Sequence, residues 1–266
     1  MYGKKVIVVT LCALLLFGTL AFASVSLGQQ KVLADEAIFY STASDGMLSG
    51  HDQIYTNAHV QPDADARMDA FTYNYIGQRF IGAINEYYIE RSALFFHTSS
   101  LPDNAVITSA TLSLWGSTAV PTTDFNIIVV DGSTLHDPLV MGDYGDLRTQ
   151  TTSGGAFNTA GYSPGANNDI TLNAEGIEWI SKTGWTNFGL RGSGDIAGIA
   201  PSGTESVGFL STDNGEHEPE LVVTYYVPPA SVPTLSQWGM IGMAIVLAAF
   251  LVWSIRRRWV ISAGKS

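Results

Sequence analysis

Ala110-Thr111-Leu112-Ser113-Leu114 alternates apolar side chains with hydroxyls, the pattern of a strand that buries one face and wets the other. Outward from it, residues 125–130 are apolar on both faces, which predicts a central strand ended by an Asp131-Gly132 turn. Further strands are expected at 169–172, 187–191, 206–211 and 220–226. In the last, Leu221, Val223 and Tyr225 face one way and Val222, Thr224 and Tyr226 the other. One short helix is expected between them: Asn173 caps it, Ile177 and Ile180 share a face, and Gly184 closes it after Lys182. Strands at this spacing, separated by Gly-rich turns, predict an all-β protein. Its expected form is a single jelly-roll-like β-sandwich over residues 36–227, after a leader at 24–35.

Charge is partitioned along the chain. Of 13 basic residues, Lys4, Lys5, Arg256, Arg257, Arg258 and Lys265 sit at the ends, leaving seven against all 24 acids, a net of −17 for the middle. Such a balance argues against a nucleic-acid partner, which needs a basic face for phosphate. The single cysteine, Cys12, lies in an N-terminal apolar run. That run follows Lys4-Lys5 and precedes Ala21-Phe22-Ala23, which reads as a signal peptide over residues 1–23, cut by signal peptidase before Ser24. An uncleaved membrane anchor is the alternative. After cleavage no cysteine remains, which excludes disulfides and cysteine metal sites.

At the other end, residues 228–238 form a Pro-rich linker that continues into an apolar run at 239–255 and a basic tail at 256–266. Seventeen helical residues span about 25 Å, enough for a short membrane crossing. Arg256, Arg257 and Arg258 should stay on the cytoplasmic side and leave everything before Trp238 outside. A simple tail anchor satisfies the same physics.

The order Val232-Pro233-Thr234-Leu235-Ser236-Gln237-Trp238-Gly239, apolar helix, arginine cluster closely resembles the IPTL-CTERM protein-sorting tail of bacteria, departing at Val232, where isoleucine is usual. The resemblance implies an exosortase-like sorting enzyme as partner. It makes Val232, Pro233, Thr234, Leu235, Ser236, Trp238 and Gly239 the sorting motif, and the membrane span temporary. A second resemblance covers Arg91-Ser92-Ala93-Leu94-Phe95-Phe96-His97-Thr98-Ser99-Ser100-Leu101-Pro102, running into Ala105 to Leu114, and the closing Glu218-Pro219-Glu220-Leu221-Val222-Val223-Thr224-Tyr225. These segments look like DNRLRE-type domains, secreted β-sandwich modules related to carbohydrate-binding modules. That family usually has Asp where this chain has His97, so a site using that carboxylate does not carry over.

Chemistry beyond this is sparse. His51, His59, His97, His136 and His217 are scattered without zinc-ligand spacing. No nucleophile elbow, phosphate loop or dinucleotide fingerprint is present, so no enzyme activity is expected. Calcium is the one cofactor considered: Asp63, Asp65 and Asp69 alternate within one loop, and Asp143 with Asp146 forms a second candidate. A solvated acidic loop is the plainer reading of both. Polysaccharide binding needs exposed aromatic faces for a sugar's C–H face. Trp115, Tyr144 and Tyr162 are the candidates, with Tyr55, Tyr73, Tyr75, Tyr87 and Tyr88 also in or near loops, while Trp179 and Trp185 read as core. Two functions therefore stand side by side: a carbohydrate-binding surface module, or a purely structural or adhesive surface protein.

Overall fold

The computed structural model describes residues 33–117, 120–229 and 237–263. The expected signal peptide and sorting-motif residues Val232, Pro233, Thr234, Leu235 and Ser236 lie outside the described residues. The chain divides into two units, Met1–Pro228 and Pro229–Ser266.

The first unit is a sandwich of two antiparallel sheets. One has the order β1 (Asp35–Tyr40), β12 (Glu220–Tyr226), β6 (Val106–Trp115), β9 (Asn167–Thr171). The other runs β11 (Thr204–Leu210), β4 (Tyr73–Ile81), β5 (Glu86–His97), β10 (Trp185–Gly192), β7 (Asn126–Asp131), β8 (Gly155–Asn158). In addition, β2 (Gly46–Asp52) pairs with β5, and β3 (Ala66–Met68) pairs with β2. The alternating stretch from Ala110 lies in β6, where Ala110, Leu112 and Leu114 are buried against Leu221 and Val223 of β12 and the facing sheet. β7 is flanked by β10 and β8, as its two apolar faces predict.

The larger sheet is buried on both sides. In β5, Leu94 and Phe96 enter the core between the sheets, while Ala93 and Phe95 enter a second core with Leu48, Tyr55, Ala58, Val130, Tyr144 and Leu147. Successive strand side chains point to opposite faces, so an unbroken apolar run must be covered twice. The second cover comes from short helices: α1 (Tyr55–Val60), α2 (Asp143–Thr149) and α4 (Ser193–Ala197).

The expectation of one short helix is therefore corrected. Four helices of five to seven residues occur among the described residues of this unit. Elements this short complete at most two turns, too few for a helical period to register and too few to be stable alone. The expected helix is α3 (Ala174–Glu178): Asn173 caps it by accepting the Gly176 N–H at 3.0 Å, but it stops well before Gly184. A Cβ on Gly176 would collide with the Gly154 carbonyl oxygen, so only glycine lets this helix sit so close to the chain leading into β8.

A buried ion network holds the helices to the sheet. Arg91 of β5, Arg191 of β10 and Asp195 of α4 are each at most 1% exposed. Arg91 grips the Asp195 carboxylate through two nitrogens, at 2.9 and 2.6 Å, and Arg191 Nε donates to it at 2.7 Å. Four more guanidinium hydrogens go to backbone carbonyls. Arg91 donates to Tyr144 O and His59 O, and Arg191 to Arg148 O and Gln150 O. Three of these carbonyls lie at the ends of α1 and α2, where helical hydrogen bonding leaves acceptors unpaired. The Arg91 guanidinium also lies 3.9 Å over the Tyr144 ring. Burial alone would raise the Asp195 carboxyl, but the charge and hydrogen bonds of Arg91, and then Arg191, outweigh it and hold it at about 2.

Replacing Asp195 with Asn leaves two buried guanidiniums without a counter-charge, and is expected to cost about 3–5 kcal/mol of stability at neutral pH. Because the folded carboxyl titrates below its ordinary 3.8, its stabilisation is complete above that value and is lost as pH falls through about 2. Wild type should therefore lose thermal stability across this acid window more steeply than Asp195→Asn. Parallel melting curves for the two proteins would contradict the network's role.

Candidate functional site

The candidate sugar-binding rings separate on folding. Tyr144 is wholly buried: its hydroxyl donates to the Ala58 carbonyl at 2.8 Å and its face is taken by Arg91. Burial pushes its phenol well above the ordinary range. It offers no face to a ligand, which corrects its candidacy. Tyr162 is half-buried, with its hydroxyl at 2.8 Å from Ser117 O and 2.7 Å from Gly208 O and its ring edge-on to Phe209 at 5.6 Å. Trp115 ends β6, and one of its faces is covered by the His217 imidazole, 3.6 Å away and 6° from parallel. Tyr73, Tyr75, Tyr87 and Tyr88 lie in β4 and β5 rather than in loops, and Tyr55 lies in α1.

Trp185 reverses its expected role. It opens β10 opposite His97 and is 48% exposed, its ring edge-on to the His97 ring at 4.8 Å. The Ser99 hydroxyl lies 3.3–3.4 Å from the His97 ring nitrogens. Trp179, by contrast, packs against the main core as expected. Trp185 escapes burial because α3 ends early and the strand begins at the sheet margin, a boundary that local sequence pattern does not fix.

The candidate calcium loop does not assemble. Asp65 accepts from the His51 backbone N–H at 2.7 Å and from Gln61 Nε2 at 2.8 Å, while Asp69 pairs with Arg67 at 3.2 Å. Asp63 points elsewhere, toward Gly142. Two of the three carboxylates, Asp65 and Asp69, are thus occupied by their own neighbours. The second candidate pair does come together, and gains a histidine: ligand atoms of His136, Asp143 and Asp146 all lie within 4.8 Å of one another. Asp143 is fully buried. It accepts from His136 Nδ1 at 2.7 Å and from the Val140 N–H at 2.8 Å, pinning the loop that enters α2. One imidazole with two carboxylates is a donor set for a borderline divalent cation more than for calcium.

In the second unit, α5 (Gln237–Ala263) carries Trp238 and Gly239 in its first turn and continues through Arg256, Arg257 and Arg258. Arginine is a good helix former, so the helix does not stop at the charge cluster. The stretch Gly239–Arg256 is long and apolar enough to cross a membrane. Its Ile245, Val246, Phe250 and Leu251 are all more than half exposed. A helix that is apolar all round and unburied by protein suits lipid.

Residues 230–258 match the IPTL-CTERM motif. The IPTL-CTERM tag and the apolar helix behind it fit export and transient membrane anchoring before display at the cell surface. IPTL-CTERM tags are processed by an exosortase-type sorting enzyme. No curated protein matches the chain. Among solved structures, one of Mud crab tombus-like virus, determined by cryo-EM at 3.3 Å, matches with 12% identity over 78% of this chain and 87% of that one, at a TM-score of 0.25.

His136 tests the geometry ahead of its IPTL-CTERM tail. Its imidazole is raised above the ordinary 6.5, first by the hydrogen bond to Asp143 and then by that carboxylate's charge. In an NMR titration its ring protons should shift at a higher pH than those of a free histidine. Asp143→Asn should return the midpoint to the ordinary range, whereas an unchanged midpoint would show that the pair does not form.

Proposed function

We propose that this chain is an exported, non-enzymatic surface protein of a bacterium, whose β-sandwich is a rigid structural or adhesive module. A signal peptide at residues 1–23 directs export. The tail then holds the chain in the inner membrane, with Arg256, Arg257 and Arg258 inside, until an exosortase-type enzyme acts at the motif from Val232 to Gly239 and releases it to the cell surface or extracellular matrix. The observation that carries this reading is the IPTL-CTERM match at residues 230–258, coincident with an unburied apolar helix. The structural role rests on a sandwich buried on both faces of its larger sheet and on aromatic candidates already committed to packing.

A second reading is carbohydrate binding. The exposed Trp185 ring, with the polar edges of His97 and Ser99 beside it, is what favours it. The resemblance of Arg91 to Leu114 to DNRLRE-type domains points the same way.

Two measurements separate these steps. In a bacterium with an exosortase-type system, the triple variant Pro233→Ala, Thr234→Ala, Leu235→Ala should stay in the inner-membrane fraction while wild type reaches the surface. Equal surface display would remove the sorting role. On a polysaccharide array, a glycan-binding wild type should lose about tenfold in affinity on Trp185→Ala, about 1.4 kcal/mol. A wild type that binds nothing leaves the structural reading.

A further inference from the structure

The corner between β1 and β2 buries a carboxyl group with no counter-ion among the described residues. Asp45 is 1% exposed, and its backbone N–H closes a turn onto the Thr42 carbonyl at 2.9 Å. Its Oδ2 lies 3.1 Å from both the backbone nitrogen and the hydroxyl of Thr212, which begins the 3-10 turn Thr212–Asn214 between β11 and β12. The same Thr212 hydroxyl lies 3.1 Å from the Ser41 carbonyl oxygen.

One hydrogen on the Thr212 hydroxyl has to serve two of these contacts. A hydroxyl has one hydrogen to donate, and a carbonyl oxygen only accepts. If Thr212 gives its hydrogen to Ser41 O, the contact between Thr212 Oγ1 and Asp45 Oδ2 needs a hydrogen from Asp45. A neutral carboxyl group completes both bonds, whereas a carboxylate leaves one contact between two acceptors. The rest of the environment points the same way. Asp45 Oδ1 accepts no hydrogen bond, and among the described residues no Lys, Arg or His forms an ion pair with Asp45. The neighbouring strand β5 meets this corner with Phe95 and Phe96. The charged group acting on Asp45 from the 3-10 turn is Asp213, an acid.

We infer that Asp45 is a proton-operated clasp: neutral, it ties the β1–β2 corner to Thr212, and ionised, it loosens that tie, while Ser211 N–H on the Thr72 carbonyl and Ser41 N–H on the Pro219 carbonyl still anchor the segment 211–219. Burial pushes its carboxyl up to about 6; hydrogen bonds from Thr212, with a smaller one from Ser41, pull against burial, and repulsion from Asp213 adds to it. An acid raised on folding is favoured in its protonated form. The clasp therefore contributes fully below the ordinary 3.8, weakens as pH rises through about 6, and is weakest above. The loosened segment carries His217, the residue that covers Trp115, so ionisation would also loosen that cover. The clasp holds whether or not the domain binds a glycan.

The test is amide hydrogen exchange on the full-length chain in detergent micelles, corrected for intrinsic rates, at pH 5 and pH 7.5. Protection of residues 211–219 should fall at least fivefold at the higher pH in wild type. In Asp45→Asn, whose amide is permanently neutral and can still donate, protection should be the same at both. Thr212→Val removes the receiving hydroxyl, and should give the low protection at pH 5 as well, which keeps the test open if the Asn variant folds poorly. Wild-type protection that does not change with pH would overturn the clasp, as would a pH dependence that survives Asp45→Asn. Recovery of wild-type protection at pH 7.5 by millimolar calcium alone would also overturn it, in favour of a cation site at Asp45.

Discussion

Two arginines closed around one buried aspartate govern how this sandwich is built. Burying three charges is costly, and an ion pair replaced by apolar residues often leaves a protein as stable or more so. The network therefore adds geometry more than net energy. Arg91 and Arg191 stand on β5 and β10, and their spare hydrogens reach carbonyls at the ends of α1 and α2, while Asp195 belongs to α4. Helices of five to seven residues do not persist alone. Here their ends are fixed by groups rooted in the sheet, which lets them cover the second core of Leu48, Phe95 and Leu147.

This arrangement explains what the sequence reveals and what it hides. Period-two alternation is a local property, so Ala110-Thr111-Leu112-Ser113-Leu114 and the strand from Glu220 announce both their conformation and their buried side. The run Ala93-Leu94-Phe95-Phe96 likewise shows a strand covered twice, though not that helices supply one cover. The ion network leaves no such trace. Arg91 and Asp195 meet across 104 positions, and Asp195 follows Ser193-Gly194, a context that reads as a solvated turn. Arginine in a strand usually marks a wet face; only the pairing of β5 with β10 shows that these two face inward.

Candidate sites follow the same logic. Strand parity places Trp115 on the side away from Leu112 and Leu114, but parity is silent about His217, which arrives from the β11–β12 connection to cover the ring. Tyr144 reads as a loop aromatic until α2 forms and turns it onto Arg91. Close spacing of Asp63, Asp65 and Asp69 brings three carboxylates near in sequence, yet Gln61, His51 and Arg67 are nearer still and satisfy two of them individually. The cluster that does form joins His136 to Asp143 and Asp146 around one loop, because buried Asp143 needs donors and the Val140 N–H and the imidazole are within reach.

Charge links the fold to its address. Seven basic residues in the middle of the chain face 24 acids, and the fold draws on those few cations for its own contacts. Arg91 and Arg191 are buried on Asp195, Arg79 pairs with buried Glu90, Arg67 is held by Asp69, and Lys182 donates to the Ala105 carbonyl. What reaches solvent is strongly acidic, a surface that repels anionic polymers. A second group of basic residues, Arg256, Arg257 and Arg258, follows the apolar stretch, the order that the positive-inside rule associates with a cytoplasmic end. Burying Arg91 and Arg191 on Asp195 thus serves the ion network and keeps two cations off the sandwich surface with the same residues.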